Sequence, residues 1–364
     1  MDVLIFTECP TQDYYRALFH LEKKGKAKIR FLDSRTLYLF FLKLYSSSAL
    51  LRKIGHRYFG KPLDIDKKVR WKDVWRSFSG YFLLPFTEKK IIALFAPYHS
   101  ISFYLYFLKL LGKDIVFMTS WPYWNEKEYV HRPLPLVRFF WKQFLKNIFI
   151  VTISQIGKIH LENYSSNVVQ IPHAVDVEIF HPDKKKPFQV LFVGRIISEK
   201  GIQGILDAAR QLKHVPFVFV GMGSAVSLLQ NSGLKNVSYL GEIRDREKLA
   251  QIFRESSVFV LNSYKIHGWE ELYGIVLLES LASGTAVIST DCVGPQEIVQ
   301  KEFGFLIPQK NVEILKEKIQ YCFEHQGELK KMGEEGRTFV EKHYDIEDLS
   351  EKWYAVLISK TFKA

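Results

Sequence analysis

Short apolar runs alternate with segments of helical periodicity along most of this chain, and this alternation constrains the fold more than any other feature. Such a rhythm is typical of strand–helix repeats, in which successive strands join one parallel sheet. We expect strands at residues 2–7, 29–32, 91–95, 115–118, 148–153, 168–171, 189–194, 217–220, 237–240, 258–261 and 286–290. We expect a helix around Tyr14, Leu18 and Leu21 and a short helix after Ser154. We expect further helices at 101–111, 134–147, 201–212, 246–254, 274–283, 311–323, 328–343 and 346–359. The sequence therefore predicts an α/β protein.

The chain is long enough for two domains. It has 364 residues, which allows each half a sizeable core. A loop with prolines and a run of lysines at 183–187 marks the junction. We therefore expect an N-terminal domain at 1–183 and a C-terminal domain at 184–345.

The loop after the first predicted strand argues against one common class of α/β enzyme. Residues 8–13 read ECPTQD and contain no glycine. A dinucleotide-binding first half needs the GxGxxG fingerprint there, because the backbone must approach the pyrophosphate closely. An NAD-dependent dehydrogenase is therefore disfavoured.

Charge and cysteine usage restrict the partners and the compartment. The formal net charge of +12 favours anionic partners such as phosphates, nucleic acid or an acidic membrane surface. Three widely spaced cysteines, Cys9, Cys292 and Cys322, disfavour both a disulfide framework and a zinc site. The N-terminus lacks the features of a signal peptide, and no apolar stretch reaches 18 residues. We therefore expect a cytoplasmic protein.

The stretch Leu37–Arg76 mixes basic and aromatic residues, and two interpretations of it stay open. It could form a surface that lies against anionic lipid or holds an anionic acceptor, or it could form a pair of helices that cover the core and expose their lysines. Nucleic-acid binding is disfavoured, because no known nucleic-acid module surrounds the stretch. Asp64 and Asp66 have the DxD spacing of a metal motif, but nearby lysines would compete for the carboxylates, so we expect no metal there.

The stretch Asn262–Gln300 holds two glutamates around the start of a predicted helix. Glu271 would precede the helix and Glu279 would lie inside it, about 12 Å apart along the axis. Paired glycosidase carboxylates lie roughly 5 to 9.5 Å apart, so a hydrolytic pair is disfavoured. Between the two acids, the first amides of the helix, those of Gly274, Ile275 and Val276, would favour an anion. A nucleotide-diphosphate sugar has this arrangement of hydroxyl-rich ends and an anionic middle.

The loop after the strand 189–194 adds two cations. In the segment GRIISEKG, Gly194 and Arg195 follow the strand and Lys200 ends the loop. Ligands of open α/β sheets bind at the carboxyl ends of strands, so both cations could hold a diphosphate and stabilise its charge as it leaves. Ordinary surface charges would explain the loop equally well if it stood alone.

Five segments occur in a fixed order between residues 168 and 345. They are GRIISEKG, GMGS, LGEIRDREKL, ELYGIVLLE with its E-x7-E spacing, and SLASGTAVISTDCVGPQEIV. Together they resemble the retaining glycosyltransferases of the GT-B fold, family 4, also called glycosyl transferases group 1. The resemblance implies two Rossmann-like domains that face across a cleft, with the terminal helix, about 346–361, packed back on the N-terminal one.

The resemblance also implies a role for each donor-site residue. Arg195 and Lys200 would contact the donor diphosphate, and the amides of Gly274–Val276 would hold phosphate. Glu271 would address the transferred sugar, and Glu279 the nucleotide ribose. No metal or other cofactor is obligatory in this family, and the sugar is transferred with retention of configuration.

The acceptor side departs from the family. Many relatives have a histidine just after the strand matched by 115–118, where this chain has Ser120; His99 follows the preceding strand. Both residues are therefore acceptor-side candidates. The expected acceptor is a lipid-linked glycan, a glycolipid or a polysaccharide at the inner face of the cell membrane. The departure leaves an alternative open: a nucleotide-sugar binding protein without turnover.

Overall fold

The computed structural model describes residues 1–8, 12–34, 80–87, 90–99, 101–124, 134–146, 148–183 and 187–359. The chain divides into two compact units, one of Met1–Gln170 with Trp353–Ala364 and one of Ile171–Lys352. The stretch Leu37–Arg76, with its DxD pair, lies outside the described residues, so both interpretations of it stay predictions.

The first unit is built on a parallel sheet. Its strands are β1 Asp2–Thr7, β2 Lys28–Asp33, β3 Lys90–Leu94, β4 Ile115–Thr119, β5 Phe149–Thr152 and β6 Val168–Gln170. Their order in the sheet is β2-β1-β3-β4-β5-β6. Its helices within the described ranges are α1 Arg16–Lys23, α2 Ser102–Leu110, α3 Pro135–Leu145 and α4 Gln155–Leu161. The chain adds β2 on one side of β1, and it adds β3 and the later strands on the other side. The carboxyl ends of β1 and β3 are therefore the topological switch point of this sheet, where the strand order reverses.

The second unit repeats this plan. Its strands are β7 Val190–Val193, β8 Phe217–Val220, β9 Val237–Tyr239, β10 Val258–Leu261, β11 Ala286–Thr290 and β12 Gly304–Ile307. Its helices are α5 Ile202–Gln211, α6 Val226–Gln230, α7 Arg246–Glu255, α8 Ile275–Ala282, α9 Val293–Ile298, α10 Val312–Glu324 and α11 Gln326–Tyr344, with α12 Ile346–Ile358 following. The strand order β12-β11-β10-β7-β8-β9 places the switch point between β7 and β10.

Strand burial and capping side chains explain several of these elements. Strands β3, β4 and β11 are buried along their whole length, as expected when helices cover both faces of a parallel sheet. Asp245 caps α7 by accepting a hydrogen bond from the Lys248 amide at 3.2 Å, and Asn311 caps α10 in the same way. The predicted α/β class is confirmed by these two sheets.

The division of the chain differs from the predicted junction at residue 183. The break falls after Gln170, because residues 171–183 pack within the second unit. Val175 forms a β-bridge with Asp345, and the Phe180 ring contacts that of Phe253 at 5.9 Å. The proline and lysine signal marked the end of this packed segment rather than its beginning.

The end of the terminal helix packs within the first unit, on a buried lysine. Residues from Trp353 onward group with that unit. The Lys90 ammonium donates hydrogen bonds to the carbonyls of Leu357 and Ser359 at 2.9 and 2.8 Å, and it pairs with Asp114 at 3.0 Å. A cation here satisfies the last carbonyls of α12 and complements the helix dipole.

Three short elements were not predicted, namely helices α6 and α9 and strand β12. Residues 294–297 belong to α9, and β12 was missed because its four-residue run, GFLI, itself begins with a glycine. Within the described ranges, no helix combines the length and apolar composition needed to cross a membrane. Helix α11 reaches 19 residues but carries charged side chains throughout.

Candidate functional site

The carboxyl ends of β7 and β10 bring together the two segments that the sequence singled out. The two strands are parallel neighbours, with Val258 opposite Val190. The loop that follows β7 leads to Lys200, and the residues after β10 are Asn262 and Ser263. Ligands of open α/β sheets bind at such a switch point, so this edge is the candidate site.

A buried ion pair forms the centre of the site. Lys200 ends the short 3-10 helix Ser198–Lys200 and is 9% exposed. Its ammonium pairs with the Glu271 carboxylate and lies 5.6 Å from the centre of the Trp269 ring. The Ser263 hydroxyl donates to the same carboxylate oxygen at 3.2 Å. The structure thus brings two predicted residues together and adds Ser263 and Trp269, which the sequence did not indicate.

The backbone around Glu271 is held from two sides. The Glu271 carbonyl accepts a hydrogen bond from the Gly294 amide at 3.0 Å, at the start of α9. The Tyr273 hydroxyl donates to the His173 carbonyl at 3.4 Å, and the two rings meet edge to face. Burial raises the pKa of Tyr273 well above its ordinary value, so its hydroxyl remains a donor. These contacts fix the position from which the Glu271 side chain extends.

Helix α8 begins beside this ion pair. Gly274 has φ +82° and ψ +55°, a left-handed conformation that glycine adopts at little cost and that reverses the chain into the helix. Ile275 and Val276 are the first two helical residues, and amides at these positions have no acceptor within their own helix. The predicted helix start is therefore confirmed, and the binding of an anion at its first amides stays a prediction.

Glu279 lies one turn further into α8. It is 2% exposed, and its carboxylate is 3.4 Å from the guanidinium of Arg246, at the start of α7. The Arg246 guanidinium also lies 4.9 Å from the centre of the Phe180 ring. Sequence reasoning missed Arg246, although it stands inside the LGEIRDREKL segment. Its planar charge limits the directions in which the Glu279 oxygens can accept further hydrogen bonds.

Gly194 and Arg195 follow β7 directly. Arg195 is exposed, unlike Lys200. The pKa of the neighbouring Glu199 is lowered by its own backbone amide, then by the Ser198 hydroxyl, with a smaller contribution from the Arg195 charge. The two predicted cations thus occupy different surroundings: Lys200 is fixed by Glu271, and Arg195 extends into solvent.

The acceptor-side candidates lie in the first unit. Ser120 follows β4 and is half-buried. His99 follows β3, and its Nε2 lies 3.9 Å from a carboxylate oxygen of Glu8, which follows β1. Glu8 also accepts a hydrogen bond from the Ala96 amide at 2.6 Å, and His99 Nδ1 accepts one from the Ile101 amide at 3.1 Å. Glu8 and His99 therefore meet at the switch point of the first sheet, and Glu8 was not anticipated.

Metal ligands are not grouped in the part of the chain that the structure describes. Among those residues, no three His, Cys, Asp or Glu side chains are placed to share a metal ion. The requirement for a metal or other cofactor is untested, and the expectation of none stays a prediction.

Comparison with known proteins identifies relatives. Residues 177–339 match the family model described as glycosyl transferases group 1. An uncharacterized glycosyltransferase of Methanocaldococcus jannaschii is 29% identical over 212 residues, which cover 56% of this chain and 58% of that protein. The phosphatidyl-myo-inositol mannosyltransferase of Mycobacterium tuberculosis is 31% identical over 164 residues, 41% of this chain and 42% of its own length. The chain thus spans about half the length of the curated relatives it matches.

A solved structure extends the likeness to both units. The Anabaena HepE protein in complex with UDP superimposes with a TM-score of 0.70, covering 98% of this chain and 99% of that one, at 12% identity. At this identity the likeness concerns the fold alone. It confirms the GT-B fold class predicted from the sequence.

Proposed function

We propose that the chain is a glycosyltransferase whose donor is a nucleotide-diphosphate sugar, because residues 177–339 match the family model of the glycosyl transferases group 1. The observation that carries the proposal is the Lys200–Glu271 ion pair at the switch point of the second sheet. In this proposal the Lys200 ammonium would meet the leaving diphosphate, and the adjacent Glu271 carboxylate would meet the sugar hydroxyls.

The donor would lie along the start of α8. Its diphosphate would accept hydrogen bonds from the amides of Gly274–Val276 and charge-assisted bonds from Lys200 and Arg195. The buried Glu279 carboxylate, oriented by Arg246, would accept the ribose hydroxyls. The Glu271 carboxylate, held by Lys200 and Ser263, would accept hydrogen bonds from hydroxyls of the sugar.

The reaction would break the bond between the sugar's anomeric carbon and the diphosphate oxygen. A bond from an acceptor hydroxyl oxygen to the same carbon would form on the same face, which retains configuration. The hydroxyl proton would pass to the leaving phosphate. Lys200 and Arg195 would stabilise the charge that develops on that phosphate, a contribution of about 3 kcal/mol to the transition state for each cation.

The acceptor class is proposed from chemistry and from one relative. A relative's name refers to phosphatidyl-myo-inositol, a lipid with a hydroxylated head group. We place the acceptor of this chain in the same broad class: a lipid-linked glycan, a glycolipid or a polysaccharide, used at the inner face of the cell membrane. The net charge of +12 favours such an anionic surface.

A second function is favoured by one observation. Ser120 stands where many relatives have a histidine, so a protein that binds a nucleotide sugar without transferring it is the alternative. The Glu8 and His99 pair at the first switch point supports the transferase, because it supplies polar groups on the acceptor side. Turnover separates the two functions.

A donor panel tests the proposal. UDP-, GDP- and ADP-sugars are each mixed with the protein, and thermal stability and release of the nucleoside diphosphate are measured. A true donor raises the melting temperature by mass action and is hydrolysed slowly or transferred. The variant Glu271→Gln should show the same donor-induced rise in melting temperature as the wild type but no turnover. The variant Glu242→Gln, at an exposed carboxylate, should keep both properties. Binding without any turnover would support the alternative, and no shift with any donor would contradict both functions.

Retention is tested separately. Proton NMR of the product of a single-turnover reaction reports the anomeric configuration, which should equal that of the donor. An inverted product would contradict the same-face reaction while leaving transferase activity in place.

A further inference from the structure

The chain between β10 and α8 forms a short hairpin beside the candidate site. Ile266 and Trp269 exchange two backbone hydrogen bonds: the Ile266 amide donates to the Trp269 carbonyl at 2.9 Å, and the Trp269 amide donates to the Ile266 carbonyl at 3.2 Å. His267 and Gly268 form the turn between them. We call residues 264–270 the hairpin. The two exchanged bonds fix the backbone from which the Trp269 side chain extends.

The hairpin is anchored to other segments of the second unit on both of its sides. The Tyr264 amide donates to the Glu199 carbonyl, in the loop after β7, at 3.0 Å. The Lys265 ammonium pairs with the Glu270 carboxylate at 3.1 Å, across the hairpin. The Glu270 side chain is 9% exposed, and it accepts a hydrogen bond from the Val293 amide, at the first residue of α9, at 2.9 Å. These contacts hold the hairpin against the candidate site.

Trp269 places an indole ring against the ion pair at the centre of the site. The Lys200 ammonium lies over the ring, 5.6 Å from its centre, and it also pairs with the Glu271 carboxylate. Trp269 is half-buried, so part of its surface stays open to a ligand. Ligand pockets commonly combine an aromatic side chain with a few placed polar groups. The indole and the Glu271 carboxylate together have this composition.

A sugar ring matches an indole that lies beside a carboxylate. Its hydroxyl groups project from the rim and donate hydrogen bonds, which a carboxylate accepts. Its faces carry C–H bonds, whose hydrogens are slightly positive. The face of an indole is the negative part of its quadrupole, so it attracts these hydrogens and removes them from water. A diphosphate has neither feature, because it lacks both C–H bonds and hydroxyl groups.

The nucleobase is the other part of a donor with a face that stacks on aromatic rings. In the proposed orientation of the donor, the nucleoside lies at Glu279, deeper in α8. Trp269 lies before the start of α8 and contacts Lys200, the partner of Glu271. The indole is therefore at the sugar end of the proposed site.

We propose that Trp269 is a donor-specificity residue, whose indole stacks on the C–H face of the transferred sugar while Glu271 accepts hydrogen bonds from the sugar's hydroxyls. The inference rests on the proposed function, because it assigns a further contact within the same donor site. The expected donors carry a pyranose with an unobstructed C–H face. An axial group on that face would hold the sugar away from the indole, which is how the ring would discriminate among sugars.

A simpler role for Trp269 makes a different prediction. A ring that only covers the Lys200–Glu271 pair would strengthen that pair by keeping water from it. Its loss would then weaken binding of every ligand that Lys200 contacts, including a free nucleoside diphosphate. A ring that stacks on the sugar affects only ligands that carry a sugar beyond the diphosphate. Affinities for the two kinds of ligand therefore separate the roles.

Isothermal titration measures these affinities. UDP-glucose, UDP-galactose, GDP-mannose and ADP-glucose are each titrated beside the corresponding free nucleoside diphosphate. Trp269→Ala should weaken binding of the sugar nucleotide by about tenfold, and that of the nucleoside diphosphate by less than about twofold. Trp269→Phe keeps an aromatic face and should recover most of the affinity, whereas Trp269→Leu keeps an apolar side chain without that face and should not.

A matched control comes from the same hairpin. Ile266→Ala removes a side chain that is 37% exposed on the opposite strand, and it should change neither affinity. Circular dichroism melts report whether each variant is folded. If Trp269→Ala fails to fold, the comparison of Trp269→Leu with Trp269→Phe carries the test.

Three results would overturn the proposal, and they differ in what they leave standing. Equal weakening of sugar nucleotide and nucleoside diphosphate by the loss of the ring would reduce Trp269 to a cover for the ion pair. Unchanged affinity for both ligands would remove Trp269 from the site. Either result leaves the proposed function in place. A wild type that binds none of the sugar nucleotides would contradict the proposed function together with this inference.

Discussion

Lys200 and Glu271 are 71 positions apart in the sequence and form an ion pair at one sheet edge. Their side chains are only 11 and 12% exposed, so each charge depends on the other for compensation. A diphosphate that approached Lys200 would share that ammonium with Glu271, and a sugar hydroxyl would meet the carboxylate. Donor binding would thus act on a pair that is already positioned.

The first prediction concerns the loss of the Lys200 charge. Lys200→Met should lower kcat/KM for transfer by about 100-fold or more, because one cation at a leaving group contributes about 3 kcal/mol. It should also lower the free energy of unfolding by about 3 kcal/mol, because the buried Glu271 carboxylate would be left without its cationic partner. Lys330→Met removes an ammonium with an 81% exposed side chain and should change the unfolding free energy by under about 1 kcal/mol. Urea denaturation and initial rates measure the two quantities.

A double variant tells the structural role from the catalytic one. Adding Glu271→Gln to Lys200→Met removes the uncompensated carboxylate, so most of the lost stability should return. Activity should not return, because both donor contacts are gone. Recovery of activity together with stability would contradict the roles proposed for these residues.

The second prediction concerns Arg246 and Glu279. Arg246→Met should weaken nucleoside diphosphate binding by about tenfold or more, because Glu279 would lose the guanidinium that orients it. Glu279→Ala should weaken binding at least as much. Isothermal titration with UDP, GDP and ADP measures both effects. Arg244→Met removes a guanidinium whose side chain is 84% exposed and serves as the neighbouring control. An Arg246→Met protein with unchanged affinity would remove Arg246 from the site.

The sequence indicated more residues of the candidate site in the second unit than at the switch point of the first, for a physical reason. Its strands are short apolar runs, and the E-x7-E spacing fixes Glu271 and Glu279 relative to one helix start. Periodicity along a chain says nothing about contacts between distant loops, so the partners Ser263 and Arg246 could not be inferred. Glu8 was missed for the same reason, since only the parallel register of β1 and β3 brings it near His99.

The third prediction concerns the close approach of two backbones at Gly294. A Cβ atom at this position would lie 2.2 Å from the Tyr273 nitrogen, a distance that neither segment can accept without moving. Gly294→Ala should therefore destabilise the protein by about 2 kcal/mol and shift the Glu271 carbonyl, which Gly294 binds. A Cβ at Gly327 would meet nothing within 4 Å, so Gly327→Ala should be tolerated. Melting temperatures and donor affinities of the two variants provide the comparison, and equal behaviour would contradict the prediction.

The fourth prediction concerns stability at alkaline pH. Burial raises the pKa of the Cys292 thiol to about 11 and that of Cys322 to about 12. In the unfolded chain both thiols ionise near pH 8.5, so between about pH 8.5 and their folded pKa values the unfolded state binds fewer protons than the folded state. Stability is therefore full below about pH 8.5 and falls as the pH rises. At pH 10 each thiol should account for a loss of about 2 kcal/mol.

Variants isolate the thiols from buried tyrosines, whose pKa values are also raised. The decrease in unfolding free energy between pH 8 and pH 10, measured by urea denaturation, should be about 4 kcal/mol smaller for Cys292→Ala with Cys322→Ala than for the wild type. The variant starts from a lower stability at pH 8 because of the cavities it creates, but only the change with pH enters the comparison. An identical change in both proteins would show that these thiols ionise as freely in the folded state as in the unfolded one.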